Sequence, residues 1–247
     1  MSKFFVKTNQ IKEPNIEILG ADVNHIKNVL RKNIGEELEI CNKENSNNYI
    51  AKIEKIENNC ITCKIIKILT NTSEKNVQIH ILQGLPKVDK MELVIQKSVE
   101  LGAYEITPIA MKRCIVKINA KDESKKIQRW QKISEVAAKQ CGRNIVPKIN
   151  NIKNIKEVCS IIKDYDIVLV AYEKEKENKL KTELQKIKDK TNVKIAVIIG
   201  PEGGIEPEEV QQLQQNGAKV VTLGTRILRT ETVALSIISN ITYELEF

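Results

Sequence analysis

Residues 194–204 read KIAVIIGPEGG, and this stretch decides the architecture. Its first half is a continuous apolar run. Such a run marks a parallel strand covered on both faces, whereas a half-exposed strand alternates apolar and polar residues. Its second half is a glycine-bearing turn. EPEEVQQLQQNG follows at 206–217, a predicted helix with Pro207 in its first turn, acids at its positive end and Gly217 as its stop. Ligands of α/β proteins bind at turns of this kind, at the C-terminal ends of parallel strands. The glycine spacing is neither G-x-x-x-x-G-K-[ST] nor G-x-G-x-x-G, so it is not a phosphate-cradling or dinucleotide fingerprint. A tight β–α turn without any ligand explains these glycines as well.

Working outward, DIVLVAY (166–172) is a second continuous apolar strand, and VQIHILQG (77–84) and YEITPIAM (104–111) are further strands. KMELVIQKSVELG (90–102) and DESKKIQRWQKISEVAAKQCG (122–142) have helical apolar spacing and end on glycine. A polar helix is predicted near 176–190, a last strand at KVVTLG (219–224) and a closing helix over 229–243. Alternating strands and helices predict an α/β sheet domain over 77–247. Residues 1–70 differ. FFVK, EELEICNK, NYIAKIEKI and CITCKIIKI are short β-like runs. ADVNHIKNVLRK between the first two carries Val23, Ile26, Val29 and Leu30 at helical spacing, with Asp22 as a cap and Gly35 beyond its end. Short strands and one helix predict a small β-barrel. The polar stretch TNTSEKN (70–76) is the expected boundary.

The 247 residues are enough for two domains with real cores, and 41% hydrophobic with 29% charged is an ordinary globular composition. No apolar run approaches the roughly 18 residues that span a bilayer. The N-terminus lacks the apolar stretch of a signal peptide, so a cytoplasmic protein without membrane contact is expected. Of six cysteines only Cys60 and Cys63 form a C-x-x-C pair, inside a strand-like run. A zinc site needs about four ligands and the sequence has only two histidines, so the cysteines are read as buried or incidental and no metal is expected. The net charge is +8, distributed as +2 over residues 1–70, +7 over 84–148 and −4 over 199–247. A basic segment beside an acidic one fits an oriented anionic partner such as a nucleic-acid backbone. A solvated lysine-rich surface fits too, since lysine outnumbers arginine 34 to 6.

LGTRILRTETVA (223–234) is the second motif. It also starts at a strand end with a glycine. A helix capped by Thr230 with Glu231 in its first turn accounts for the threonine and the acid. It does not account for two of the six arginines, Arg226 and Arg229, falling in an acidic segment.

Taken with GLPK (84–87), IQKSVELGAYEITP (95–108), RWQKISEVAAKQCGR (129–143) and IGPEGG (199–204), this motif resembles the ribosomal small-subunit RNA methyltransferase E family, the uracil-N3-methyltransferases of the SPOUT class. The resemblance spans nearly the whole chain in family order. It implies a PUA-like RNA-binding barrel at 1–70 and a SPOUT α/β domain at 77–247 ending in a deep trefoil knot. It also implies a homodimer, S-adenosylmethionine as cofactor and 16S ribosomal RNA, in the small subunit, as partner. Cofactor contacts carry over to Gly200, Pro201, Glu202, Gly203, Leu223, Gly224, Ile227, Leu228, Arg229 and Thr230, with Val170 and Ala171 beside them. RNA contacts carry over to the barrel and the basic segment: Lys3, His25, Arg31, Lys87, Lys90, Arg113 and Arg143. Lys3 stands where the family usually has arginine, Cys141 where serine is frequent, and Val233 precedes the alanine that commonly follows the threonine.

The chemistry follows from the implied substrate. The imide N3–H of uridine must lose its proton before or during methyl transfer. Glu202 or Glu231 is the candidate base, and Arg229 the candidate stabiliser of charge on a uracil oxygen. Glu231 is equally read as an ordinary first-turn helix acid. Trp130 is expected in a core or an interface. A related SPOUT enzyme acting on another ribosomal or transfer-RNA site, or an RNA-binding assembly factor without turnover, are the alternative functions.

Overall fold

The structure, a computed structural model, describes residues 3–69, 77–87 and 90–246. The stretch 70–76, expected to separate the domains, lies outside them. The chain forms two compact units, Met1–Glu74 with Ala138–Val146, and Lys75–Ala137 with Pro147–Phe247.

The first unit holds β1 (Lys3–Val6), β2 (Ile11–Lys12), β3 (Asn15–Leu19), α1 (Ala21–Asn24), β4 (Glu37–Asn42), β5 (Asn48–Ile56) and β6 (Cys60–Leu69). They make a sheet ordered β1-β4-β5-β6-β3-β2, with β1 parallel to β4 and the other pairs antiparallel. Alternate residues enter one core: Phe4 and Val6, Ile16 and Ile18, Leu38 and Ile40, Tyr49, Ala51 and Ile53, Ile61 and Cys63. Side chains two apart share a face, so each of these strands turns one apolar face inward. By the same rule Cys60 and Cys63, three apart, point to opposite faces and are no ligand pair. Burial pushes the Cys63 thiol up to about 12. The expected helix at 21–32 is shorter. α1 runs into a π-helical turn at His25–Val29, and Arg31 takes φ 53°. β3 was not anticipated, although Ile16 and Ile18 alternate.

The second unit contains β7 (Val77–Gly84), α2 (Lys90–Glu100), β8 (Glu105–Ala110), α3 (Ala120–Gln140), whose last turn belongs to the first unit, β9 (Lys148–Ile149) and β10 (Lys153–Asn154). Then come α4 (Ile155–Ile161), β11 (Ile167–Ala171), α5 (Leu180–Gln185), β12 (Val193–Ile199), α6 (Pro207–Gln215), β13 (Lys219–Val221) and α7 (Thr230–Glu246). The sheet is parallel throughout, ordered β10-β8-β7-β12-β11-β13, with β9 beside β8. β12, the decisive strand, pairs with β7 along all seven residues and with β11 on its other edge. Ile195 to Ile199 are fully buried, as the unbroken apolar run requires. From β7 the chain winds outward through β8 to β10; it then lays down β11 on the other side, fills the place beside β7 with β12, and ends in β13 on the outer edge of β11. The winding therefore reverses between β7 and β12, which is where open α/β sheets open a crevice at their C-terminal ends.

Two helices cover that end. α2 buries Met91, Val94, Ile95 and Val99, α7 buries Ala234, Ile237, Ile238 and Ile241, and the two pack together. The polar helix expected over 176–190 is confined to Leu180–Gln185. Ahead of it, the Glu175 carboxylate accepts from the N–H groups of Lys176, Glu177 and Asn178 and closes a turn instead. Among the described residues no helix is long and apolar enough to cross a membrane.

Candidate functional site

The C-terminal ends of β11, β12 and β13 surround a cavity of about 510 Å³. Small-molecule sites span roughly 300–1,000 Å³. One wall is the β12–α6 turn, Gly200 to Ile205; the other is the β13–α7 connection, Thr222 to Arg229. The two glycine motifs, well separated in sequence, thus enclose one space. Gly84, at the end of β7, lets the first wall approach: a Cβ there would lie 2.7 Å from Pro201 Cδ and 2.8 Å from Pro201 N. Gly224 in the second wall sits at φ 118°, which L side chains rarely adopt.

Thr230 joins the walls. Its hydroxyl donates to the Gly200 carbonyl at 2.7 Å and accepts from the Gln83 amide at 2.8 Å. Thr230 was read as a helix cap, but its hydroxyl has gone to another strand end. Gln83 was not anticipated as a site residue, and its signal was a polar side chain inside a buried strand. It is fully buried, and its amide also donates to the Gly84 carbonyl at 2.9 Å.

Charges gather at the rim. The Lys90 ammonium lies 3.2 Å from Glu202 Oε1 and 3.3 Å from Glu231 Oε2. Glu202 also accepts from the Lys87 N–H at 3.0 Å. Burial pulls the Glu202 carboxyl upward, but the Lys87 N–H and the Lys90 ammonium outweigh it and hold Glu202 below the ordinary carboxylate value. The Glu202 carboxylate and Lys90 in turn raise one another's charged form, and Lys90 is held above its ordinary value. Glu231 Oε2 is buried and has no well-aligned donor among the described residues. Arg229 lines the cavity, exposed, and no described residue accepts from its guanidinium. Arg113 props the first wall from behind: Nε donates to Glu206 at 2.6 Å and Nη1 to the Gly203 carbonyl at 3.0 Å.

All the residues expected around a cofactor line this cavity except Val170, which is fully buried in β11 while its neighbour Ala171 reaches the lining. Tyr172, Glu173, Gly204, Arg226 and Val233 complete it without having been singled out as contacts. The expected phosphate contacts scatter, and two need correction. Lys3 is 4% exposed, and its ammonium is held by Glu39 at 2.8 Å, the Asn144 side-chain oxygen at 2.5 Å and the Gly142 carbonyl at 3.0 Å, all inside the first unit. Arg143 is 6% exposed. Neither side chain is presented to a phosphate backbone. His25 is half-buried with its ring edge-on to Phe4, while Arg31 and Lys87 are exposed. Lys90 and Arg113 spend their charges on the cavity walls. Trp130 is buried.

Comparison with known proteins fixes the class first. Residues 73–242 match the RNA methyltransferase domain family and residues 18–66 the RNA methyltransferase PUA domain. Among curated relatives, ribosomal RNA small subunit methyltransferase E of Bacillus subtilis is 33% identical, covering 100% of this chain and 98% of its own. That of Mesomycoplasma hyopneumoniae is 34% identical over 97% of this chain and 98% of its own. The crystal structure of ribosomal RNA small subunit methyltransferase E from Neisseria gonorrhoeae, bound to S-adenosyl methionine, superimposes with a TM-score of 0.86 at 29% identity, over 98% of this chain and 97% of that one. This chain belongs to the ribosomal RNA small subunit methyltransferase E family. Its α/β unit with a parallel sheet and its N-terminal PUA-like domain are those of that family.

Proposed function

We propose that this protein transfers a methyl group from S-adenosylmethionine to N3 of one uridine in 16S ribosomal RNA, with the cofactor held between the two glycine-bearing walls. The observation that carries the reading is their convergence on a single cavity at the C-terminal ends of β11, β12 and β13, in a chain whose relatives are ribosomal RNA methyltransferases. The residues present fit such a cofactor. Leu223, Ile227 and Leu228 offer an apolar wall for a purine, and the glycine turns beside them let a ligand approach the backbone closely. When bound, the cofactor supplies an activated methyl on a sulfonium. The chain's own task is then to orient the base and to manage one proton and one developing negative charge. Arg229, exposed in the cavity without a protein partner, is suited to a uracil carbonyl oxygen on which charge grows. As a proton acceptor Glu202 is weakened, because its neighbours hold it ionised.

In the same reading residues 1–70 form the RNA-binding domain and residues 77–247 the catalytic domain. Its last segment is threaded as a trefoil knot, and two copies pair as a homodimer. The bond from Thr230 to Gly200 ties the start of the last helix to an earlier strand end. The test is methyl transfer to small-subunit RNA, with the product located by mass analysis of nucleosides. N3-methyluridine at one position is expected, with about 10²–10⁴-fold loss in whichever of Glu202→Gln and Glu231→Gln removes the base. Full activity in both variants eliminates carboxylate catalysis, and a methyl group found on ribose or on another base overturns the substrate assignment.

A further inference from the structure

We propose that Lys90 is a positioning residue that fastens the two walls of the cavity to each other. One of the carboxylates it meets belongs to the first wall and the other to α7, into which the second wall runs. Glu202 stands in the β12–α6 turn and Glu231 in the first turn of α7, while Lys90 opens α2, a third element packed on α7. Two carboxylates drawn towards one point repel unless a cation lies between them. Lys90 supplies that cation, and its backbone N–H reaches the Lys87 carbonyl at 3.2 Å, which anchors the turn whose Lys87 N–H holds Glu202 from the other side. The dependence is unequal. Glu202 keeps the Lys87 N–H without Lys90. Glu231 Oε2, buried and without a well-aligned donor among the described residues, loses its counter-charge altogether. A buried charge left unpaired is strongly destabilising. The second wall, with Arg229 and the apolar Ile227 and Leu228 leading into α7, is therefore the one that Lys90 chiefly holds.

The structural half of this inference is independent of what the cavity binds; its functional half rests on the reading of the cavity as the S-adenosylmethionine site. Hydrogen exchange of the protein without cofactor tests the first. In Lys90→Met, amides of residues 233–236, the first bonded ones of α7, are expected to exchange at least about tenfold faster, with a smaller increase at Gly204, and Lys90→Arg is expected to restore protection; tenfold corresponds to about 1.4 kcal/mol. Should Lys90→Met prove too unstable to handle, the double variant Lys90→Met with Glu231→Gln removes the orphaned charge and is expected to recover protection at 233–236. Steady-state kinetics test the second: KM for S-adenosylmethionine rises about tenfold in Lys90→Met, and Lys90→Arg reverses the rise. Wild-type exchange at both walls in Lys90→Met, or Lys90→Arg behaving like Lys90→Met, overturns the latch. Faster exchange in a protein whose wild-type form does not bind S-adenosylmethionine leaves the latch standing and overturns the cofactor reading.

Discussion

Thr230 shows how one side chain decides whether two walls become one site. Its hydroxyl donates to the Gly200 carbonyl and accepts from a fully buried glutamine amide. Thr230→Val keeps the shape and removes both partners. It is expected to cost about 1–3 kcal/mol, because buried polar groups are left unpaired, whereas Thr230→Ser keeps most of the bond. Urea unfolding of the three proteins measures this, and a Thr230→Val midpoint equal to wild type would show that the bond carries no weight. The same residue marks the limit of what the sequence makes legible. Gly204 and Gly224 are readable because their positive φ, 72° and 118°, is a constraint local to their own backbone. The partner of a threonine is not: a capping hydroxyl and one reaching a strand end thirty residues upstream are spelled alike. Lys3 misleads for a similar reason. A lysine near a terminus is normally solvated, and nothing nearby announces that Asn144 and Gly142 will enclose it.

At the scale of elements, the strands of the second unit are legible where burial is two-sided. β11 and β12 carry unbroken apolar runs, and the parallel sheet followed from them. α4 went unseen although Asn154 and Glu157 form a capping box, with the Glu157 N–H donating at 3.0 Å and the Asn154 N–H at 2.8 Å. Its seven residues are too few for a periodicity to show. His80 is the polar interruption in β7 that binds neighbouring elements together. Nε2 meets the Thr107 hydroxyl of β8 at 2.7 Å, and Nδ1 meets the Tyr165 hydroxyl ahead of β11 and lies 3.1 Å from Glu105. Asn150 closes the ring by donating to Glu105 and Thr107 at 2.8 Å. Burial lowers the His80 pKa from 6.5 to about 4; the Glu105 carboxylate opposes that shift and Lys153 reinforces it. The folded state thus prefers neutral imidazole, while the unfolded chain takes up a proton near 6.5. The stabilisation is whole above that value and is lost as the pH falls towards about 4. Its ceiling is about 3 kcal/mol. Urea midpoints between about pH 7 and pH 4 should fall in the wild type and fall less in His80→Gln, whose amide has no proton to gain. Parallel curves for the two proteins would remove His80 from the acid limb.

Across the whole molecule the charge asymmetry of the sequence turns out to be partly an internal complement. The basic middle and the acidic end meet inside the second unit: Lys112 with Glu208 and Arg113 with Glu206 at 2.6 Å each, and Lys90 with Glu202 and Glu231 at 3.2 and 3.3 Å. A cation already shared with a carboxylate releases fewer counterions on meeting RNA than a free one. Fewer of the forty basic residues are therefore available to phosphates than the +8 net charge suggests. Exposure separates the candidates. Arg31 and Lys87 are exposed, whereas Lys3 is enclosed with Glu39 and Asn144. The salt dependence of binding to a small-subunit RNA fragment reads this out, because each lost phosphate contact lowers the slope of log K against log salt by about 0.7–0.9. Arg31→Ala and Lys87→Ala are expected each to lower it by about that amount at unchanged stability. Lys3→Met should leave the slope where it was and lower the unfolding midpoint instead, since Glu39 and Asn144 lose the cation between them. If Lys3→Met flattened the slope as much as Lys87→Ala does, the ammonium would have to leave its enclosure to meet RNA, and the division of cations between scaffold and ligand drawn from burial would be wrong.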